Sequence, residues 1–82
     1  MKHALYYSKY CYFCQKVLFF LKGKDADIEL RSTSNREHST ALMQGGGKTQ
    51  VPCLRIEQDS GEIEWMYESD DIIDYLRGVL TN

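Results

Sequence analysis

Two residues separate Cys11 from Cys14, and a Cys-x-x-Cys pair serves one of two kinds of chemistry. Either the sulfurs exchange with disulfides, or they supply half of a metal site. Exchange requires a thiolate, so the attacking cysteine needs surroundings that lower its pKa. Structural zinc requires four ligands. The remaining candidates, Cys53, His3 and His38, lie at spacings that form no zinc pattern, and no metal is expected. Two inert core thiols would be the plain alternative, because free cysteine is among the most buried residue types. The element that carries the pair decides between these readings.

His3-Ala4-Leu5-Tyr6-Tyr7 is short, apolar and rich in β-formers, and it runs into the polar turn Ser8-Lys9-Tyr10, which predicts a buried first strand. From Cys11 to Lys22 the residues Cys14, Val17, Leu18 and Leu21 recur at three- and four-residue steps, and Lys22-Gly23-Lys24 supplies a basic end and a stop. A helix therefore opens at Cys11 or next to it. Cys11 then lies among unpaired backbone N–H groups at the positive end of the helix dipole, with Cys14 about one turn further in and partly shielded. Lys9 adds a nearby positive charge. This asymmetry assigns roles, with Cys11 attacking and Cys14 resolving the intermediate into an intramolecular disulfide.

The rest of the chain supplies the frame. Ile28-Glu29-Leu30 alternates and predicts a second strand. Ser34-x-x-Glu37 reads as a capping box opening a short helix through Ala41-Leu42-Met43, ended by Gly45-Gly46-Gly47. Val51 to Ile56 reads as a strand beginning at Pro52, and Glu62 to Met66 as its hairpin partner across Asp59-Ser60-Gly61. Ser69 then caps a last helix, with Asp70 and Asp71 in its first turn and Ile72, Ile73, Leu76, Val79 and Leu80 on its buried side. The order β-α-β-α-β-β-α predicts an α/β sandwich with a mixed sheet, its first two strands parallel through a right-handed crossover. One domain over residues 1–82 is expected.

Bulk properties exclude several functions. Ten basic and twelve acidic side chains leave a formal net charge of -2, which provides no field for nucleic acid or an anionic membrane. The longest apolar run, Val17-Leu18-Phe19-Phe20-Leu21, is too short to span a bilayer. No cleavable signal pattern precedes the first strand, so a cytoplasmic location is expected. Three cysteines, two of them as Cys-x-x-Cys, suit a reducing compartment better than a disulfide-stapled scaffold.

Three motifs in order, Ser8-Lys9-Tyr10-Cys11-Tyr12-Phe13-Cys14, Thr49-Gln50-Val51-Pro52 and Glu68-Ser69-Asp70-Asp71, resemble the glutaredoxins over nearly the whole chain. Gln50-Val51-Pro52-Cys53-Leu54 with Tyr67-Glu68-Ser69 is also similar to the N-terminal domain of glutathione S-transferases. The resemblance implies a thioredoxin-like fold, a four-stranded mixed sheet flanked by three helices, and glutathione as co-substrate. It implies that Pro52 follows a cis peptide bond and presents the Val51 backbone, beside Cys11, to the cysteinyl part of glutathione. Glu68, Ser69 and Asp70 would receive the γ-glutamyl end. Helix N–H groups suit its α-carboxylate, and an acidic side chain suits its α-amine. Lys9 and Lys48 match positions that hold the glycine carboxylate, and Tyr12 and Phe13 rim the site as further glutathione-binding residues.

The implied activity is reduction of glutathione mixed disulfides and protein disulfides, with glutathione reductase as an indirect partner and the chain a monomer. Two departures bear on it. Most dithiol glutaredoxins place proline directly after the nucleophile, where this chain has Tyr12, which restores an N–H to the first helical turn. Some relatives without that proline hold a [2Fe-2S] cluster between two subunits. A glutathione-binding or [2Fe-2S]-binding module with little turnover is therefore the alternative. Cys53 follows Pro52, and its thiol is expected to lie inert in the core.

Overall fold

The computed structural model describes residues 1–80. Its elements are β1 (Lys2–Tyr7), α1 (Tyr12–Leu21), β2 (Ile28–Ser32), α2 (Arg36–Gly46), β3 (Cys53–Glu57), β4 (Ile63–Met66) and α3 (Ser69–Leu80). The sheet order is β2-β1-β3-β4. β1 runs parallel to β2, with Leu5 opposite Leu30, and antiparallel to β3, with Leu5 opposite Leu54. β4 closes the far edge antiparallel to β3. This is the mixed-sheet α/β arrangement that the element order predicts, and it is thioredoxin-like.

The apolar run in β1 is continuous because both faces of its strand are covered. Alternation sends Leu5 to one face and Tyr6 to the other. Leu5 joins Leu54 and Ile56 of β3, Val17 of α1 and Ile72, Ile73 and Leu76 of α3 in the larger core. Tyr6 packs with Cys53 and Leu42 of α2 in a smaller one. Both cores run along β1 and β3, so the two central strands contribute to each. Among the described residues, no helix is long and apolar enough to cross a membrane.

Four sequence expectations are corrected. Asn35, not Ser34, caps α2, its side-chain oxygen accepting from the Glu37 N–H at 2.8 Å. The helix then continues through Gly45 and Gly46 and stops only at Gly47, which has a φ of 89°. Glycine is needed at 45 and 46 for lateral space: a β-carbon at Gly45 would overlap the Trp65 ring, and one at Gly46 the Tyr67 hydroxyl. β3 begins at Cys53 rather than Pro52, because Val51-Pro52 forms a bend ahead of the strand. Val79 lies on the exposed side of α3, leaving Ile72, Ile73 and Leu76 as its buried stripe.

One pH dependence follows from the base of the sheet. His3 Nε2 lies 2.9 Å from the Tyr75 hydroxyl, joining β1 to α3. Burial holds the imidazole below its ordinary pKa of 6.5, the N-terminal ammonium acts in the same direction, and Asp27 opposes them. With the folded pKa depressed, the unfolded chain binds the proton first. The stability tied to neutral His3 is thus complete above about pH 6.5 and is lost as pH falls toward the folded value. Thermal unfolding at pH 7.5 and pH 5.5 should show a larger decrease for the wild-type chain than for His3→Gln; equal decreases would remove His3 as the source.

Candidate active site

Register explains why residues forty positions apart in sequence meet. β1 ends at Tyr7, and Tyr6 lies opposite Cys53, the first residue of β3. β4 ends at Met66, opposite Leu54. The turn before α1, the bend before β3 and the start of α3 therefore gather at one end of the sheet, and the three motifs of the sequence meet there.

Cys11 is the N-cap residue of α1, extended at φ -95° and ψ 121°, with Tyr12 as the first helical residue. Its carbonyl accepts the first helical bond from Gln15 N–H at 3.0 Å, and its own N–H donates to Ser8 O at 3.1 Å. Its Sγ accepts from the Cys14 N–H at 3.3 Å, so one unpaired N–H of the helix start is aimed at the sulfur. The same Sγ lies 3.9 Å from the Val51 carbonyl. The Val51-Pro52 peptide is cis, as the resemblance implies.

The two sulfurs differ in access. Cys11 is half-buried, whereas Cys14 is fully buried. Burial pushes the Cys14 thiol up to about 12, and a hydrogen bond with Cys11 adds to this, while the Ser8 N–H, 3.4 Å from its sulfur, opposes it. Cys53 is also fully buried, and burial pushes its thiol up to about 11 against opposing effects of the Tyr67 hydroxyl and the Lys48 charge. Brief iodoacetamide treatment of the reduced native protein should therefore give a single adduct, at Cys11, by mass spectrometry. Comparable labelling of Cys14 or Cys53 would contradict this ordering.

A cleft of about 240 Å³ runs from Val51, whose carbonyl lies 3.9 Å from Cys11 Sγ, to the start of α3, and Cys11 and Tyr12 themselves are not among its lining residues. Phe13, Val51, Pro52, Glu68, Ser69 and Asp70, all candidate residues from the sequence, line it together with Gln50 and Tyr67. Ser69, expected as the cap of α3, is instead its buried first helical residue, and Glu68 holds the cap position, its carbonyl accepting the first α3 bond from Ile72 N–H at 2.8 Å. The N–H groups that follow in this turn have no helical acceptor, which suits an anion. Tyr12 and Phe13 are exposed and meet edge to face, with ring centroids 5.3 Å apart.

The two candidate lysines lie outside the cleft lining. Lys9 Nζ sits 5.3 Å from the Tyr10 ring centroid, and Lys48 Nζ sits 4.5 Å from that of Tyr67, whose hydroxyl donates to the Lys48 carbonyl at 3.2 Å. Sequence reasoning missed Gln50 and Tyr67 as lining residues, although each lies within a quoted motif. It also missed Lys16 of α1, whose Nζ lies 2.5 Å from Asp70 Oδ1. A pair separated by 54 positions leaves no local signal. A wider cleft of about 750 Å³ between α1 and α3 contains no cysteine. No cluster of metal-ligating side chains occurs among the described residues.

A thioredoxin-like sheet with a cysteine pair at the head of its first helix and a cis-proline bend beside it defines the structural class. Within that class, residues 5–78 match the family described as glutathione S-transferase, N-terminal domain, and the chain belongs to that family. Comparison with curated proteins finds none that matches. The family is the second of the two that the motifs resemble, and it ties the chain to a glutathione-related function.

Proposed function

We propose that the chain is a glutathione-dependent thiol-disulfide oxidoreductase of glutaredoxin type, acting in the cytoplasm on glutathione mixed disulfides and protein disulfides. The observation that carries this reading is the position of Cys11 Sγ. It caps α1, accepts the Cys14 N–H, and lies beside the Val51 carbonyl at one end of a cleft whose other end is the start of α3. A glutathionyl disulfide laid along that cleft would bring its sulfur to Cys11 and its γ-glutamyl carboxylate to the N–H groups at Ser69 and Asp70.

The reaction balances without a cofactor. The Cys11 thiolate attacks the glutathionyl sulfur, the substrate S–S bond breaks, and the released thiolate takes a proton from solvent. Glutathione as thiolate then attacks the glutathionyl sulfur of the Cys11–glutathione disulfide, breaking its bond to Cys11, forming glutathione disulfide and restoring the Cys11 thiolate. With a protein disulfide, the Cys14 thiol loses its proton and attacks Cys11 instead, releasing the second substrate thiol and leaving a Cys11–Cys14 disulfide. Within this reading Lys9 and Lys48 flank the glycine end, while Tyr12 and Phe13 form the rim met by the substrate.

The test is reduction of the mixed disulfide of glutathione and 2-hydroxyethanethiol by glutathione, coupled to glutathione reductase. Turnover that saturates in the mixed disulfide is the expected result. A rate no greater than uncatalysed exchange, with glutathione still binding, would leave a binding module in its place.

A further inference from the structure

We propose that Lys16 sets the affinity of the cleft for the γ-glutamyl end of glutathione by occupying, on Asp70, the place of the ligand's α-ammonium. The proposal rests on the assignment of this cleft to glutathione and adds to it a residue outside the family motifs.

Asp70 lies in the first turn of α3 and lines both the small cleft beside Cys11 and the wider cleft between α1 and α3. Lys16 lies on the facing side of the wider cleft, and its Nζ meets Asp70 Oδ1 at 2.5 Å. Of the acids at this helix start, Glu68, Asp70 and Asp71, only Asp70 carries an ion pair among the described residues. The lysine ε-ammonium and the glutathione α-ammonium are chemically alike, each a compact primary ammonium with three donors. Asp70 thus already holds, in Lys16, the kind of group that a glutathione ligand would bring. Ligand binding must displace that ammonium or share the carboxylate with it.

The exchange is inexpensive because both partners are exposed, the side chains retaining 43% of their accessible surface for Lys16 and 77% for Asp70. Exposed pairs of this kind contribute little and are screened by salt. Lys16 therefore tunes affinity and does not block the cleft. The effect is selective, since only ligands with a free α-amine compete for Asp70. The γ-glutamyl carboxylate, directed to backbone N–H groups, would be unaffected by loss of the competition.

Calorimetric titration of the reduced protein with S-methylglutathione, and with its analogue lacking the α-amine, tests the proposal without requiring turnover. Lys16→Gln should tighten binding of S-methylglutathione about two- to fivefold at low salt, the range open to an exposed pair. It should leave the deaminated analogue unchanged, and Lys16→Arg should stay near wild type. Unchanged or weaker binding of S-methylglutathione by Lys16→Gln overturns the proposal, as does an equal gain for the deaminated analogue. Binding without turnover would remove the enzymatic reading and leave this comparison valid. If the wild-type protein binds neither ligand, the assignment of the cleft to glutathione fails, and the proposal with it.

Discussion

Cys11→Ser should abolish turnover of the glutathione–hydroxyethanethiol mixed disulfide, a loss on the order of a thousandfold or more, because removing a nucleophile leaves only uncatalysed exchange. Cys14→Ser should stay within about tenfold of wild type on the same substrate, since external glutathione can resolve the intermediate. The contrast comes from the unequal placement of two sulfurs three residues apart. Cys11 is the half-buried cap of α1, its sulfur 3.9 Å from the carbonyl of the cleft residue Val51. Cys14 has no accessible surface, and its thiol is pushed up to about 12, first by burial and then by its hydrogen bond with Cys11. Engaging Cys11 in a mixed disulfide would weaken the second effect but not the first. Cys14 should then resolve slowly, with external glutathione expected to carry most of the flux. Reduction of a protein disulfide, which needs both cysteines, should instead fall sharply in Cys14→Ser. Full activity in Cys11→Ser, or equal inactivity of the two variants on the small substrate, would defeat the scheme.

The second large effect concerns α2. Alanine is ordinarily favoured over glycine inside a helix by about 1 kcal/mol. Gly45→Ala should nevertheless destabilise the fold by about 2 kcal/mol, because the new methyl group would overlap three atoms of the Trp65 ring, and overpacking of this kind typically costs about 1–3 kcal/mol. Gly78→Ala is the control. It lies within α3 with nothing within 4 Å of an added β-carbon, and should stabilise by roughly 0.5–1 kcal/mol. In a domain of this size the two variants should depart from wild type in opposite directions, Gly45→Ala by roughly 10 °C downward. Denaturant unfolding followed by the single tryptophan, Trp65, measures both. A stable Gly45→Ala variant would mean that β4 can shift away from α2 at little expense.

The same glycines mark where local reading of the sequence stops working. Gly45-Gly46-Gly47 has the composition of a helix terminator, and only Gly47 acts as one. The other two make room for aromatic side chains that arrive from β4 and the segment after it, about twenty positions later, and nothing within the helix reports that. The start of α1 was more legible. Cys11 was placed at or next to the head of α1 from apolar spacing alone, and it is the cap. The element order and mixed sheet followed from alternation, turns and caps, signals that all act within a few residues. Asn35 displaced Ser34 as a cap because either residue can fill that role, and backbone geometry makes the choice.

The site was legible to the extent that its residues belong to contiguous motifs. Phe13, Val51, Pro52, Glu68, Ser69 and Asp70 do, and they line one cleft. Lys16 does not. It is an ordinary exposed helix lysine until α3 packs against α1 and brings Asp70 to it. Lys9 and Lys48 show the converse: each adjoins or belongs to a quoted motif, yet neither lines the cleft, and the ammonium groups rest over the rings of Tyr10 and Tyr67.

The position of β1 has a dynamic consequence. As the one strand hydrogen-bonded to β2 and to β3, with Leu5 and Tyr6 in separate cores, it offers no edge from which to fray. Amide protons of Leu5 and Tyr6 should exchange with solvent deuterium only through global opening, making them the slowest in the molecule. The cysteine loop leaves the sheet directly from this strand, so the nucleophile is anchored to the last part of the chain to come apart.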